Sequence, residues 1–394
     1  MIHCDYLFVG AGQTAFHACQ ALRQYDAKGS VMLIGDDHFP PHNLPVLDKV
    51  WFKQGLTSAD SVTVVPPGWF ESHKIDYRPS TLVTQFNIER RMAVLNTGQT
   101  IEFKKALLAT GSRPKRPQIA GFNLGNIIYP RTSHDLGAIR EISSHEKACV
   151  VIGSGIAGLQ YAAALKSSNH NVILLSGDKF LLDGLVDAPT GQFLNDYALA
   201  HGLKLTLEEN LNGFEGKTVL KNIQLKSGTR FSAGMAVVAL GSEPDLRLVT
   251  GTPLSSTNGC PVNEYLETDE KGIYAAGSLA LYPDRIFGSV RRWDYPGCAE
   301  LQGQTAGANI TGRKRQKFEY LPDFSLNFFD LHLQFIGDFS KPIVRTQLVG
   351  DYAKKKFTLT CLQGEKVVAA VLCNQPPEAH EAATLQIRSS FKSS

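Results

Sequence analysis

The sequence predicts an α/β protein that contains two Rossmann-like regions. Two glycine loops, at 10–15 and 153–158, carry this prediction, because each follows a short apolar strand and precedes a helical stretch. The chain has 394 residues, which suits two or three domains of roughly 150 residues each. Aromatic and branched apolar residues are plentiful, which excludes a disordered chain.

The first loop has the pattern GxGxxA. An apolar strand at 6–9 runs into Gly10, which allows a tight turn, and Gly12, which lets the backbone approach a pyrophosphate. The small Ala15 lets the helix pack on the strand, and the helix N-terminus favours an anion. Asp36 follows the next apolar strand, where an acid is placed to accept a hydrogen bond from an adenosine ribose.

The second loop repeats this arrangement as GxGxxG. The strand at 148–152 leads into Gly153, Gly155 and Gly158, and a helical run follows. One such pattern arises easily by chance, but two in the same strand-to-helix context predict two bound dinucleotides.

Three more strand ends organise the chain. Apolar runs that end in glycine and then proline lie at 106–114 and 236–244, and such ends mark where a chain crosses between nucleotide domains. A third strand end lies at 272–278, and a helical stretch is predicted at 298–310.

These motifs together resemble the pyridine-nucleotide, FAD-dependent reductases. Within that group the chain is similar to the ferredoxin and rubredoxin reductases and the apoptosis-inducing-factor flavoproteins. The resemblance covers about residues 5–340 and rests on the two loops and on ATGSRP at 109–114, IYAAG at 273–277 and AELQGQTAGANITG at 299–312.

The resemblance implies the domain order and the cofactors. FAD and NAD(P)H would each occupy a Rossmann-like domain, the second domain would be inserted into the first, and a small α+β domain would end the chain. The implied domains are an FAD domain at 1–112 and 245–313, an NAD(P)H domain at 113–244, and a C-terminal domain at 314–394.

Matching motifs transfer site residues to this chain. Lys49 matches a family lysine beside the flavin N5 region; the alternative is that Lys49 is an ordinary exposed lysine. Gln160 is the predicted partner of Lys49, and these two residues are the catalytic candidates. The implied cofactor-binding residues are Gly10, Gly12, Ala15, Asp36, Lys49, Thr110, Gly111, Arg113, Gly153, Gly155, Gly158, Ser176, Gly241, Gly277 and Ser278.

Five positions depart from the family pattern. Where the family usually has Arg, Glu, an acid that binds the NADH ribose, Asp and Trp, this chain has Leu44, Gln160, Ser176, Ser278 and Ser325, respectively. Loss of the acid at 176 leaves the choice between NADH and NADPH open. The departures together leave open whether activity is reduced.

The predicted reaction passes electrons from NAD(P)H through FAD to a small iron–sulfur carrier of the ferredoxin, rubredoxin or Rieske type. The segment 37–60 contains no cysteine and the seven cysteines are scattered, so neither a redox-active disulfide nor a cysteine zinc site is expected. The 11 histidines lack ligand spacing, and no metal is expected. The alternatives are an NAD(P)H oxidase or quinone reductase without a protein partner, and a weakly active FAD/NAD(P)H-sensing scaffold.

Charge and hydropathy restrict the partners. A net charge of +3 does not by itself imply nucleic acid, and no apolar run approaches the roughly 18 residues of a membrane span. The N-terminus has no basic segment or cleavage site of a secretory signal, so a cytoplasmic protein is expected. Basic clusters at 291–292, 313–317 and 354–356 offer a dock for an acidic carrier, and a homodimer stays open.

Overall fold

A computed structural model describes residues 1–42 and 63–391 of the chain. Contacts among the Cα atoms divide these residues into two units. Unit 1 consists of 1–42, 63–113 and 242–320, and unit 2 consists of 114–241 and 321–391. The three-domain division given above stays a prediction.

Unit 1 begins with the predicted strand, loop, helix and strand. Strand β1 (Ile2–Val9) pairs in parallel with β2 (Val31–Ile34), and α1 (Gln13–Tyr25) connects them. The helix buries Phe16, Cys19 and Leu22, which follow one another at intervals of three residues along its apolar side, in one core with β1 and β2.

The main sheet of unit 1 is mixed: strands pair in parallel on both sides of β1, and one edge of the sheet is an antiparallel meander. The next elements are α2 (Trp69–Ser72), β3 (Ile75–Arg78), β4 (Val83–Asn87), β5 (Met92–Leu95), β6 (Thr100–Leu108) and β7 (Ser112–Pro114). The strand order is β3-β2-β1-β6-β5-β4. β1 pairs in parallel with β6, whereas β4, β5 and β6 form an antiparallel meander. The first glycine loop therefore lies at the carboxyl end of a central strand.

Unit 2 contains a second parallel sheet. Its elements are β8 (Ile127–Ile128), α3 (Ser133–His145), β9 (Ala148–Ile152), α4 (Ile156–Ser167), β10 (Asn171–Leu175), α5 (Ala188–Ala200), β11 (Lys204–Thr206), β12 (Leu211–Glu215), β13 (Asn222–Leu225), β14 (Arg230–Ser232) and β15 (Met235–Val238). The order β11-β10-β9-β15-β8 is parallel throughout. Strands β12, β13 and β14 form a small antiparallel sheet beside it.

The chain then returns to unit 1. The elements of this return are β16 (Ser242–Pro244), β17 (Cys260–Pro261), β18 (Ile273–Ala275), β19 (Ala280–Pro283), β20 (Val290–Arg291) and α6 (Pro296–Ile310). β16 pairs with β7, and β18 joins the main sheet beside β6. Helix α6 packs closely on α1, because a Cβ at Gly303 or Gly307 would overlap backbone of Thr14 or Ala18.

An antiparallel sheet and a helix complete unit 2. They are β21 (Asp323–Phe328), β22 (Leu331–Gly337), β23 (Arg345–Asp351), β24 (Lys356–Gln363), β25 (Lys366–Cys373) and α7 (Pro377–Phe391). The strand order is β21-β22-β25-β24-β23, and α7 packs on β25. The predicted fold class, two Rossmann-like regions with a small α+β part at the C-terminus, is confirmed.

A helix that crosses a bilayer needs about 20 predominantly apolar residues. Within residues 1–42 and 63–391, no helix is both long enough and apolar enough to cross a membrane.

Candidate dinucleotide-binding sites

The first glycine loop is closed against a neighbouring strand end and open on its other side. Gly10 has a φ of +98°, and a Cβ there would overlap the carbonyl oxygen of Ala109, so only glycine fits. Among residues 1–42 and 63–391, a Cβ on Gly12 would meet nothing within 4 Å. The backbone at Gly12 is therefore accessible to a ligand.

The start of α1 completes an anion-binding cradle beside this loop. Gly12 is the N-cap, no side chain in the described part of the chain caps the helix, and its first turn carries no acidic residue. Ala15 is fully buried, as its predicted packing role requires. The first backbone N–H groups of the helix thus face outward with a favourable dipole for a phosphate.

Asp36 lies at the edge of the first loop. Its side chain is exposed, and it follows the end of β2. A Cβ at the preceding residue, Gly35, would overlap the side chain of Ala11 in the loop. This places the carboxylate beside the loop, where the sequence predicts it to accept from a ribose hydroxyl.

The second loop repeats the geometry of the first. Gly153 has a φ of +117°, and a Cβ there would overlap the carbonyl oxygen of Ala239. A Cβ on Gly155 would meet no described residue within 4 Å, whereas one on Gly158 would overlap the carbonyl oxygen of Gly153. The third position must be glycine here but is alanine in the first loop, because the second loop packs α4 closer to its strand.

Ser176, the position of the missing family acid, is accompanied by an acid two residues later. The Ser176 hydroxyl donates to Asp178 Oδ2 at 2.8 Å, and the Ser154 hydroxyl donates to the same oxygen. Asp178 is not among the site residues predicted from the sequence. The available signal was an aspartate three residues past the end of an apolar strand, and only the folded loop shows where it points.

The strand ends at 110–113 and 241 lie where the chain passes between the two Rossmann-like regions. Thr110 Oγ1 donates to the carbonyl oxygen of Asp245 at 2.8 Å. Arg113 pairs with Glu243 at 2.9 Å, and both side chains are about half exposed. Gly111 and Gly241 have φ values of +75° and +87°, conformations that favour glycine.

The strand end at 277–278 meets the first loop directly. Gly277 has a φ of +74°, and a Cβ there would overlap the Thr14 hydroxyl at the start of α1. Its backbone amide donates to Gln302 Oε1 at 2.7 Å in a buried site. Gly277 is thus held by α6, and its amide is already engaged.

Asp294 is the centre of a polar cluster in unit 1 that the sequence did not indicate. Its carboxylate accepts from the hydroxyls of Ser112, Ser242 and Ser278, the first at 2.5 Å. Arg292 donates to the carbonyl oxygens of Ser278 at 3.0 Å and of Ser242 at 3.3 Å. One carboxylate and one guanidinium therefore join the three strand ends that flank the first loop.

The catalytic candidates are only partly described. Lys49 and the departure at Leu44 lie outside the described residues. Gln160 is half-buried on α4, which contacts β21, and Ser325 is exposed on that strand. The pairing of Lys49 with Gln160 therefore stays a prediction.

The seven cysteines are all buried and unpaired. Burial raises the pKa of the Cys298 thiol to about 12, and the pKa of the Cys260 thiol likewise. A thiol with so high a pKa is not a nucleophile near neutral pH, which argues against a thiol relay. Across the described parts of the chain, no group of three or more His, Cys, Asp or Glu side chains is arranged to hold a metal ion.

The basic clusters are largely engaged within the protein. Arg291 is buried and pairs with Asp284 at 3.1 Å, and Arg292 binds the strand ends described above, so 291–292 is no exposed patch. Lys317 pairs with Glu264 at 2.8 Å, and Lys355 with Asp330 at 3.0 Å.

Trp293 offers a further polar contact beside the Asp294 cluster. Its Nε1 is buried and has no hydrogen-bond partner among the described residues. Such a donor suits the carbonyl and ring-nitrogen acceptors of an isoalloxazine. Together with the open backbone at Gly12, it makes the residues of unit 1 fit FAD.

Two sheets with parallel central strands, each with a glycine loop open at its second glycine, define a protein that binds two dinucleotides. Residues 4–296 match the family described as pyridine nucleotide-disulphide oxidoreductase, and the chain belongs to it. The predicted resemblance and the FAD and NAD(P)H cofactors are confirmed by this match.

Similar proteins extend the match over nearly the whole chain. Putidaredoxin reductase from Pseudomonas putida is 28% identical over 385 residues, which are 96% of this chain and 90% of that protein. Rubredoxin-NAD(+) reductase from Pseudomonas putida is 26% identical over 307 residues, 78% of this chain and 80% of that protein. The solved covalent putidaredoxin reductase–putidaredoxin complex aligns with a TM-score of 0.90 at 26% identity, covering 98% of this chain and 94% of that one.

Proposed function

We propose that the protein is an FAD-dependent NAD(P)H reductase that passes electrons to a small iron–sulfur carrier. The observation that carries this proposal is the pair of glycine loops, each closed against a strand end and each open at its second glycine. The relatives named for putidaredoxin and rubredoxin support the class of acceptor.

The first loop would bind the adenosine half of FAD. The amides at the start of α1 and the open backbone at Gly12 suit its pyrophosphate, and Asp36 accepts from the ribose. Ala15 keeps the helix close to the strand, which fixes the direction of those amides.

The three strand ends around Asp294 would hold the flavin half. Thr110, Gly111 and Ser278 offer backbone and hydroxyl groups there, while Gly277 contributes space, because its amide is already bonded to Gln302. Asp294 acts as a positioning residue that orients the Ser278 hydroxyl. FAD held by these residues would supply a hydride acceptor for NAD(P)H and a one-electron donor for the carrier.

The second loop would bind NAD(P)H through Gly153, Gly155 and Gly158. We also propose that Lys49 lies beside the flavin with Gln160 near it, as the family pattern implies. A neutral amide at 160 leaves the lysine charge uncompensated, which favours an anionic flavin.

The seven buried, unpaired cysteines support a cytoplasmic location, where thiols stay reduced. Their high pKa values also support an external carrier over an internal disulfide as the electron outlet.

An anaerobic experiment tests the proposed function. NADH or NADPH should bleach the flavin of the purified protein, and an oxidised [2Fe–2S] ferredoxin or a rubredoxin added afterwards should restore the yellow colour while becoming reduced. A colourless protein that does not bind added FAD would contradict the proposal. Turnover with oxygen or quinone that no iron–sulfur carrier accelerates would favour the oxidase or quinone-reductase alternative.

A further inference from the structure

The second loop contains a carboxylate at the position where a dinucleotide-binding fold reads the adenosine ribose. Asp178 Oδ2 accepts from the hydroxyls of Ser176 and Ser154, and the Asp178 amide donates to Ser176 Oγ at 3.2 Å. Ser154 belongs to the glycine loop itself, so these bonds tie the acid to the loop. The exposed Asp178 carboxylate is thereby held at the end of β10.

The two serine hydroxyls are committed to this acid. Ser154 is 2% and Ser176 7% exposed, and buried hydroxyls need partners. A hydroxyl has one proton, and Asp178 Oδ2 is the nearest acceptor for both. Neither proton is available to a phosphate group while the carboxylate is present.

The surrounding charges also disfavour a phosphate. The amide of Glu208 donates to the carbonyl oxygen of Asp178 at 3.0 Å, and the amide of Glu209 donates to the carbonyl oxygen of Ser176 at 3.1 Å. Two more carboxylates therefore belong to the segment beside Asp178, with Lys179 as the adjacent cation. A 2′-phosphate would bring roughly two negative charges into this region at neutral pH.

We propose that Asp178 takes the place of the missing acid at 176 and makes the protein select NADH over NADPH. Asp178 Oδ1 has no hydrogen-bond partner among the described residues and can accept from the 2′- and 3′-hydroxyls of the adenosine ribose. This inference rests on the proposed function, because it assigns the specificity of the second loop.

Equilibrium binding of NAD⁺ and NADP⁺ to the FAD-loaded protein, measured by calorimetry, tests the inference. The wild type should bind NAD⁺ at least roughly 10-fold more tightly than NADP⁺, and Asp178→Asn should weaken NAD⁺ binding roughly 10- to 100-fold. NADP⁺ binding should stay equal or improve, because the variant removes a negative charge. Asp196→Asn, the same change of charge at an exposed site on α5, should alter neither constant.

The ratio of kcat/KM for NADH to that for NADPH should fall in Asp178→Asn by the same factor as the binding ratio. Equal affinities for NAD⁺ and NADP⁺ in the wild type, or unchanged NAD⁺ binding in Asp178→Asn, would overturn the inference and leave the proposed function standing. A loss of NADP⁺ binding in Lys179→Ala, with NADP⁺ preferred by the wild type, would assign the specificity to Lys179 instead. Absence of binding by either nucleotide would contradict both proposals.

Discussion

The Ser112 hydroxyl donates a hydrogen bond of 2.5 Å to the carboxylate of Asp294, a residue 182 positions later in the chain. Ser242 and Ser278 donate to the same carboxylate. Because the three serines lie on three different strand ends, a single side chain sets the relative position of all of them. This relationship explains how the segments around the first loop are held in register.

Replacement of Asp294 should therefore lower the stability of the protein and weaken its binding of FAD. Asp294→Ala leaves three hydroxyls without their acceptor, which should lower the free energy of unfolding by roughly 2–4 kcal/mol. The FAD dissociation constant should rise as Ser278 loses its orientation. Chemical unfolding and fluorescence titration of FAD measure the two effects.

Asp269→Asn provides the control for that variant, since Asp269 is an exposed acid of the same unit. It should change neither quantity. An Asp294→Ala protein that binds FAD like the wild type would show that the cluster does not position the flavin side of the site.

Gly277→Ala should be more harmful than an alanine at another glycine with a positive φ. At Gly277 the new Cβ meets the Thr14 hydroxyl and the φ is +74°. At Gly288 the φ is +69°, and the new Cβ meets none of the residues that the structure describes within 4 Å. Backbone strain alone costs roughly 1–2 kcal/mol, and overpacking adds roughly 1–3 kcal/mol. Gly277→Ala should thus lose more thermal stability and retain less FAD than Gly288→Ala. Equal losses in the two variants would contradict the close approach of Gly277 to Thr14.

Tyr6 should make the stability of the protein depend on alkaline pH. Burial and the hydrogen bond to Asp26 raise the pKa of Tyr6 to about 12. A raised pKa means that the folded state favours the protonated phenol, so its contribution is complete below the unfolded value of about 10 and is lost as the pH approaches 12.

Tyr6→Phe isolates this contribution. At pH 8 the variant should be less stable than the wild type by roughly 1–2 kcal/mol, because Asp26 loses a buried donor. The difference should narrow as the pH is raised above 10, which urea unfolding from pH 8 to 11 would follow. If the stability difference between Tyr6→Phe and the wild type stays constant from pH 8 to 11, ionisation of Tyr6 does not cause the loss of stability at alkaline pH.

Gln160→Glu tests the predicted place of Gln160 beside Lys49 and the flavin. A carboxylate there disfavours added negative charge on the flavin, so its midpoint potential should fall by on the order of 30 mV. Redox titration of the flavin measures the shift. Gln118→Glu, at an exposed position, should leave the potential unchanged, and an unshifted potential in Gln160→Glu would remove Gln160 from the flavin site.

The glycine loops were predictable because their function depends on local order: an apolar strand, a glycine turn and a helix start follow one another within a few residues. The Asp294 cluster was not, because its members are far apart in sequence and only the sheet brings their strand ends together. Asp178 was missed for a different reason. The family pattern points to position 176, whereas the hydrogen bonds that tie the Asp178 carboxylate to Ser176 and Ser154 form only in the folded loop.

Gly12→Ala and Gly155→Ala test the central claim, that two equivalent loops hold two different dinucleotides. Neither new methyl group meets a described residue within 4 Å, and both residues have φ values that alanine adopts, so both variants should fold like the wild type. Each methyl group would occupy the space that a pyrophosphate needs.

Binding of FAD and NAD⁺ to the two variants, measured in parallel by calorimetry with unfolding as the control, is the most direct measurement. Gly12→Ala should lose FAD affinity roughly 100-fold and keep NAD⁺ binding, whereas Gly155→Ala should keep its yellow flavin and lose NAD⁺ by a similar factor. Loss of the same nucleotide in both variants, or wild-type binding of both nucleotides in either, would contradict the account.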